Sequence, residues 1–256
     1  MHFHLRIALT TLVVSAFLCA TSHASAAQTL NVASTRQGVT VPLLVDAPPD
    51  PRAVVLLFAG GNGGVQFAND APSTFVANFL VRSRGDFVAN GIATAVVGAS
   101  SDLGGPDWMS DYFRNSPEHA ADIGAAVEAL RARFKLPIWL VGTSRGTLSA
   151  ASVALKLGRR IDGVVLTSGM TDVKSMDIDR FEVPVLIVHH ERDTCRVTDY
   201  RDLRQVTSKL KAQRSDVLKF SGGDNEGKAC EAMAYHGFNG IEAEVIKAIA
   251  QWIAPK

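Results

Sequence analysis

The chain is poor in cysteine, with three residues among 256, and none of them forms a Cys-x-x-Cys pair. That absence argues against a dithiol redox motif. Excess charge of either sign is missing too: 26 basic side chains face 25 acidic ones, for a net charge of +1. Such a balance gives no reason to expect nucleic acid or an anionic membrane as a partner. Heptads, internal repeats and low-complexity runs are absent, which excludes coiled coils and solenoids. No Pro/Gly-rich linker divides the chain, so its hydrophobic content of 47% is expected to serve one globular core.

One apolar run stands apart. MHFHLR is a short basic start, IALTTLVVSAFLCA is apolar, and TSHASAAQ supplies small residues. This is the three-part pattern of a secretory signal peptide, and the run is too short to span a bilayer comfortably. Ala24-Ser25-Ala26 fits the cleavage rule, so residues 1–26 are expected to be removed, with cleavage after Ala27 as the second choice. Residues 27–256 then form the mature domain. No later segment is long and apolar enough to cross a membrane, so the mature chain is expected to be exported, periplasmic or secreted, without stable membrane association.

Export bears on the remaining cysteines, Cys195 and Cys230. An isolated pair in an oxidising compartment is most simply one disulfide, the alternative being two buried free thiols. Closing a loop of that length contributes roughly 3–4 kcal/mol on the chain-entropy model.

The mature chain alternates β-rich and helical runs. TVPLLV (40–45), AVVLLF (53–58), ATAVVGA (93–99), PIWLVG (137–142), GVVLTS (163–168), VPVLIVHH (183–190) and DVLKF (216–220) read as strands, several with the continuous apolar character of strands buried on both faces. Pro42 in the first of these predicts an edge strand. Residues 73–83 read as a helix. Ser116 and Pro117 suit the start of another, whose apolar face is Ile123, Val127, Leu130 and Phe134. TLSAASVALKLG (147–158) continues as a helix, and Ile241, Val245, Ile249 and Trp252 set the face of the last one. Strands alternating with helices predict an α/β fold with a mainly parallel sheet flanked by helices.

Chemistry concentrates in two places. GTSRG (142–146) is a G-x-S-x-G sequence lying between a strand and a helix, the context in which such a serine sits exposed on a tight turn. VHHERDTC (188–195) gathers His189, His190, Glu191, Asp193 and Cys195. Adjacent histidines on a strand point to opposite faces, so they cannot easily share one metal ion, and no metal is expected. A serine hydroxyl needs a base to take its proton and a third group to orient that base.

GTSRG after an apolar strand, with the glycines of FAGGNGG (58–64) after an earlier one, resembles the α/β-hydrolase fold family. The late His-His-x-x-Asp-x-Cys and His-Gly-Phe are similar to exported bacterial members of that type. The resemblance implies the order serine, acid, histidine, hence Ser144, Asp193 and His236, the last being the only histidine after Asp193. Asp172, after the preceding strand, is the alternative acid. The oxyanion hole is implied to consist of the backbone N–H of Arg145 and of a residue in FAGGNGG, most simply Gly61. Many relatives carry His-Gly where this chain has Ala59-Gly60. A Cys195–Cys230 bridge would tie the acid loop to the histidine loop.

The resemblance implies a serine hydrolase of carboxylesterase type, without cofactor, cleaving an ester or related acyl bond. Spacings between the segments leave no room for a large lid domain, which suits a small or surface-accessible acyl substrate. GGPDWMSDYFR (104–114), with Trp108, Met109, Tyr112 and Phe113, either lines the substrate pocket or is a packed surface loop. Arg84-Gly85-Asp86 is expected at an ordinary helix end. Two other classes stay open: a non-catalytic binding protein on the same scaffold, and a thiol–disulfide exchange protein acting through Cys195.

Overall fold

The computed structural model describes residues 25–105 and 108–255. The expected signal segment therefore lies outside the described residues, except for its last positions.

The middle of the molecule is built from strands apolar on both faces. In β3 (Ala53–Phe58) every residue is buried, and its side chains divide by parity. Val54, Leu56 and Phe58 face one core, with Ile123, Val127 and Leu148, while Val55 and Leu57 face the other, with Phe79, Val245 and Ile249. Period-two alternation into two cores is what a strand covered on both sides requires. β6 (Ile92–Val97), β7 (Ile138–Thr143), β8 (Gly163–Thr167) and β9 (Val185–His190) are likewise buried throughout. With β1 (Ser25–Ala33), β2 (Thr40–Ala47) and β10 (Ser215–Phe220) they form one eight-stranded sheet in the order β1-β2-β6-β3-β7-β8-β9-β10. β1 and β2 run antiparallel to their neighbours and the other pairings are parallel. A two-stranded hairpin, β4 (Phe67–Ala68) and β5 (Ala71–Pro72), lies apart from it.

Helices α1 (Phe79–Arg82), α2 (Arg84–Ala89) and α7 (Glu242–Ile253) cover one face; α4 (Pro117–Phe134) and α5 (Gly146–Leu157) cover the other. α3 (Asp111–Arg114) and α6 (Leu203–Lys209) are short. Ser116 caps α4 by accepting from the His119 N–H at 3.1 Å, with Pro117 in the first turn as expected. No inserted lid domain interrupts the sheet among the described residues, and none of their helices is long and apolar enough to cross a membrane.

Three expectations are corrected. Pro42 does not mark an edge, because β1 pairs outside it. The proline is tolerated because its carbonyl accepts from Gly98 at 2.9 Å, so its N-side faces β6 just beyond Leu43, where that pairing begins. Residues 73–83 are not one helix: Phe75 has φ +56°, and Asn78 caps α1 through the Leu80 N–H. Arg84-Gly85-Asp86 consequently opens α2 rather than ending a helix. On α7, Val245, Ile246, Ile249 and Ile253 are buried, whereas Trp252 sits at the rim, its indole N–H donating to Asp216 at 2.6 Å.

One core residue sets a pH dependence. His119 on α4 is buried against Phe58 and Phe113, and neither ring nitrogen has a hydrogen-bond partner among the described residues. Burial, then the positive charge of Arg114, pulls its pKa down to about 3. An unfolded histidine takes up its proton near 6.5, so below that pH the unfolded state gains a proton that folded His119 refuses. Stability is lost as pH falls from that value towards the folded one. Between pH 7 and 4.5 this residue is expected to cost about 2–3 kcal/mol, at about 1.4 kcal/mol per pH unit. Urea unfolding at both pH values should show His119→Leu escaping that share of the acid loss. Equal losses in both proteins would refute the assignment.

Candidate active site

Ser144 lies where β7 ends and α5 begins, with φ +52°, a left-handed conformation uncommon outside glycine. The flanking glycines explain how the turn closes. A Cβ on Gly146 would stand 2.1 Å from the Phe58 carbonyl oxygen, and one on Gly142 would stand 2.4 Å from that of Gly146. No side chain fits at either place, so β3, β7 and α5 can pack tightly around a half-buried serine.

Asp193 follows β9 and His236 sits in a 3₁₀ turn before α7. Both are buried, and His236 Nδ1 lies 2.9 Å from Asp193 Oδ2. The other carboxylate oxygen accepts from the Cys195 N–H at 2.9 Å. Thr198 Oγ1, also buried, donates to Asp193 Oδ2 at 3.1 Å and lies 3.2 Å from His236 Nδ1. These bonds engage only Nδ1, leaving Nε2 without a protein partner among the described residues.

The histidine loop is held from behind. Ser168 donates to the His236 carbonyl and Arg82 to the Gly237 carbonyl, each at 2.7 Å. Cys195 and Cys230 form a disulfide that joins the acid loop to the histidine loop. Asp172, the alternative acid, is exposed and makes no contact with His236 among the described residues.

Ser144 and His236 line one cavity of about 50 Å³, together with Gly60, Gly61, Asn78 and Phe79. The backbone N–H groups of Arg145 and Gly61 have no protein partner among the described residues. Gly60 stands closest to the serine: a Cβ there would be 2.9 Å from Ser144 Cβ.

The histidines of VHHERDTC are packed residues. His189 faces the carbonyls of His190 and Thr198 at 3.2 and 2.9 Å, and burial holds its pKa below the ordinary histidine value. His190 donates to the Gly222 carbonyl at 3.0 Å, accepts from the Arg192 N–H at 3.1 Å, and stacks on Tyr235. The segment 104–114 does not line the cavity at Ser144; Trp108 instead lines a separate groove with Pro42, Val65 and Phe67. Trp108 covers Gly64 from outside, Met109 is buried in the core and Tyr112 is exposed. Its Pro106 and Asp107 lie outside the described residues.

Two contributors were not singled out from sequence: Thr198 and Ser168. Each reaches His236 from a distant segment, Thr198 across 38 residues and Ser168 across 68, and nothing local marks either.

No protein-family model and no curated protein sequence matches the chain. Solved structures do. A cold-adapted esterase from an Arctic intertidal metagenomic library is 18% identical, with a TM-score of 0.58 over 88% of this chain and 92% of its own. A dienelactone hydrolase from Anabaena variabilis is 14% identical, with a TM-score of 0.62 over 89% and 97%. A serine hydrolase without lid from Xanthomonas campestris is 14% identical, with a TM-score of 0.60 over 90% and 96%. At these identities the likeness establishes the fold, which is that of the α/β hydrolases.

Proposed function

With the α/β-hydrolase fold as the frame, we propose that the chain is an exported serine hydrolase cleaving an ester or related acyl bond through an acyl-enzyme. The observation that carries this reading is the buried Asp193–His236 pair, 2.9 Å apart, at a cavity that Ser144 lines from a strained turn. In this reading His236 Nδ1–H donates to Asp193, which leaves Nε2 free to take the serine proton. Ser144 Oγ attacks the substrate carbonyl, and the tetrahedral oxyanion is received by the N–H groups of Arg145 and Gly61. His236 then protonates the leaving group, and water attacks the acyl-enzyme by the reverse proton path. Thr198 and the disulfide keep acid and base in register.

The three solved structures named above are described as an esterase or as hydrolases, which supports a carboxylesterase-like activity. The small cavity and the lack of an inserted lid among the described residues favour a small or surface-accessible acyl substrate. Export is supported by the N-terminal pattern and by the disulfide, a bond that persists in oxidising compartments.

The test is covalent. A fluorophosphonate probe should label the mature protein at Ser144, and short p-nitrophenyl esters should be turned over. A protein that resists the probe and turns over nothing would instead be a binding protein on this scaffold.

A further inference from the structure

The loop Ala59–Gly63 is coiled around a buried guanidinium. Arg114, at the end of α3, is 1% exposed. Its Nη2 donates to the carbonyls of Ala59 and Gly61 at 3.3 and 3.2 Å. Its Nη1 donates to Ser149 Oγ at 2.9 Å and its Nε to the Met109 carbonyl at 3.1 Å. Gly63 touches the same group, since a Cβ there would lie 2.4 Å from Nη2. Gly63 thus has a reason to be glycine that is independent of close approach to a substrate.

The geometry points to Arg114 as the positioning residue of the oxyanion loop, clamping the two peptides that flank the one carrying the Gly61 N–H and placing a positive charge behind them. In a trans peptide the carbonyl and the following N–H point in opposite directions. Holding the Ala59 carbonyl therefore turns the Gly60 N–H away from the guanidinium, and Gly60 is the residue packed against Ser144. The intervening Gly60 carbonyl accepts from the Gly63 N–H at 3.3 Å, so the peptide carrying the Gly61 N–H is held by the loop itself. Three successive carbonyls are anchored, and the loop cannot turn its N–H groups without breaking one of them.

The charge itself is informative. Arg114 has no carboxylate partner among the described residues; the nearby Asp111 is paired with Arg145 at 2.8 Å. A buried cation without a counter-ion is costly. Burial, then the charge of Arg145, lowers its pKa to about 10, so it remains charged at neutral pH. Carbonyls alone could be held by neutral donors. A cation behind the loop also polarises its N–H groups towards a developing negative charge, where low dielectric makes that field effective.

This inference rests on the serine-hydrolase reading, and the wild-type assay tests that reading first: without turnover of a short p-nitrophenyl ester, the reading fails before any variant is compared. With turnover, Arg114→Met is expected to lose about 30- to 100-fold in kcat while KM stays within about three-fold, because removing an oxyanion donor outright costs about 10²–10³. Arg114→Lys, which keeps the charge but not the fork, should fall between. Binding of a boronic acid that adds to the serine should weaken in parallel with kcat. A folded Arg114→Met that keeps kcat within three-fold, or changes KM alone, would overturn the assignment. If that variant does not fold, Arg114→Lys decides by the same criteria. Failure of both to fold would overturn it in favour of a purely structural role.

Discussion

Replacing Ser144 with alanine is expected to lower kcat for a short p-nitrophenyl ester by about 10⁵–10⁶-fold, leaving the fold intact. Ser144 is half-buried, and its hydroxyl is not among the groups that hold the turn together. The turn is held instead by its backbone, with the Ser144 N–H donating to the Thr167 carbonyl at 3.1 Å and its own carbonyl accepting from the Thr147 N–H at 2.9 Å. Alanine keeps those bonds, although it must still adopt φ +52°. His236→Ala should cost a similar factor, because a base without a nucleophile and a nucleophile without a base fail at the same step. The decisive variant is the double one. If serine and histidine act as one relay, Ser144→Ala/His236→Ala should be no slower than either single variant, within about three-fold. Losses that multiply would mean that the two residues act independently, and residual activity above about 1% in the serine variant would remove Ser144 from the chemistry. Matched unfolding curves for all three variants keep the comparison on rate rather than stability.

Much of this arrangement could be read before any coordinates. The continuous apolar strands announce themselves because burial on both faces leaves no polar position to interrupt them, as in AVVLLF. Gly142 and Gly146 are legible for a related reason: the turn admits no Cβ at either place. Asp193 and His236 are picked out by the residue order that the family resemblance implies, and the fold brings them within 2.9 Å of each other. What escaped lacks any local signal. β1 is an edge strand whose first residues overlap the expected cleavage site, and only its pairing with β2 identifies it. Residues 73–83 carry a helical pattern, yet the positive φ at Phe75 divides the segment. Thr198 looks like any loop threonine until the fold brings it against the Asp193–His236 pair, 38 residues from the histidine. Arg114 reads as a surface arginine at the end of DYFR, and its burial depends on a glycine loop some fifty residues earlier in the chain closing over it.

Asp193→Asn is expected to cut kcat by about 10⁴-fold without loss of stability, and the hydrogen bonds around the carboxylate explain both halves. Oδ1 accepts from the Cys195 N–H, and an asparagine carbonyl oxygen can do the same. The amide nitrogen then occupies the place of Oδ2, 2.9 Å from His236 Nδ1 and 3.1 Å from Thr198 Oγ1. Thr198 adapts by rotating its hydroxyl, changing from donor to acceptor. His236 cannot adapt without cost: facing an N–H, its Nδ1 must become the acceptor, which puts the ring proton on Nε2. That is the tautomer unable to take the serine proton, and the variant also loses the negative charge that stabilises the imidazolium. The site is buried, so water offers little screening of either loss. Asp172→Asn serves as the internal comparison and should change kcat by less than about two-fold, since that exposed carboxylate does not reach the imidazole. Should Asp172→Asn carry the large loss and Asp193→Asn the small one, the acid would have to be reassigned, and the disulfide and Thr198 would then brace a structural pair rather than a catalytic one.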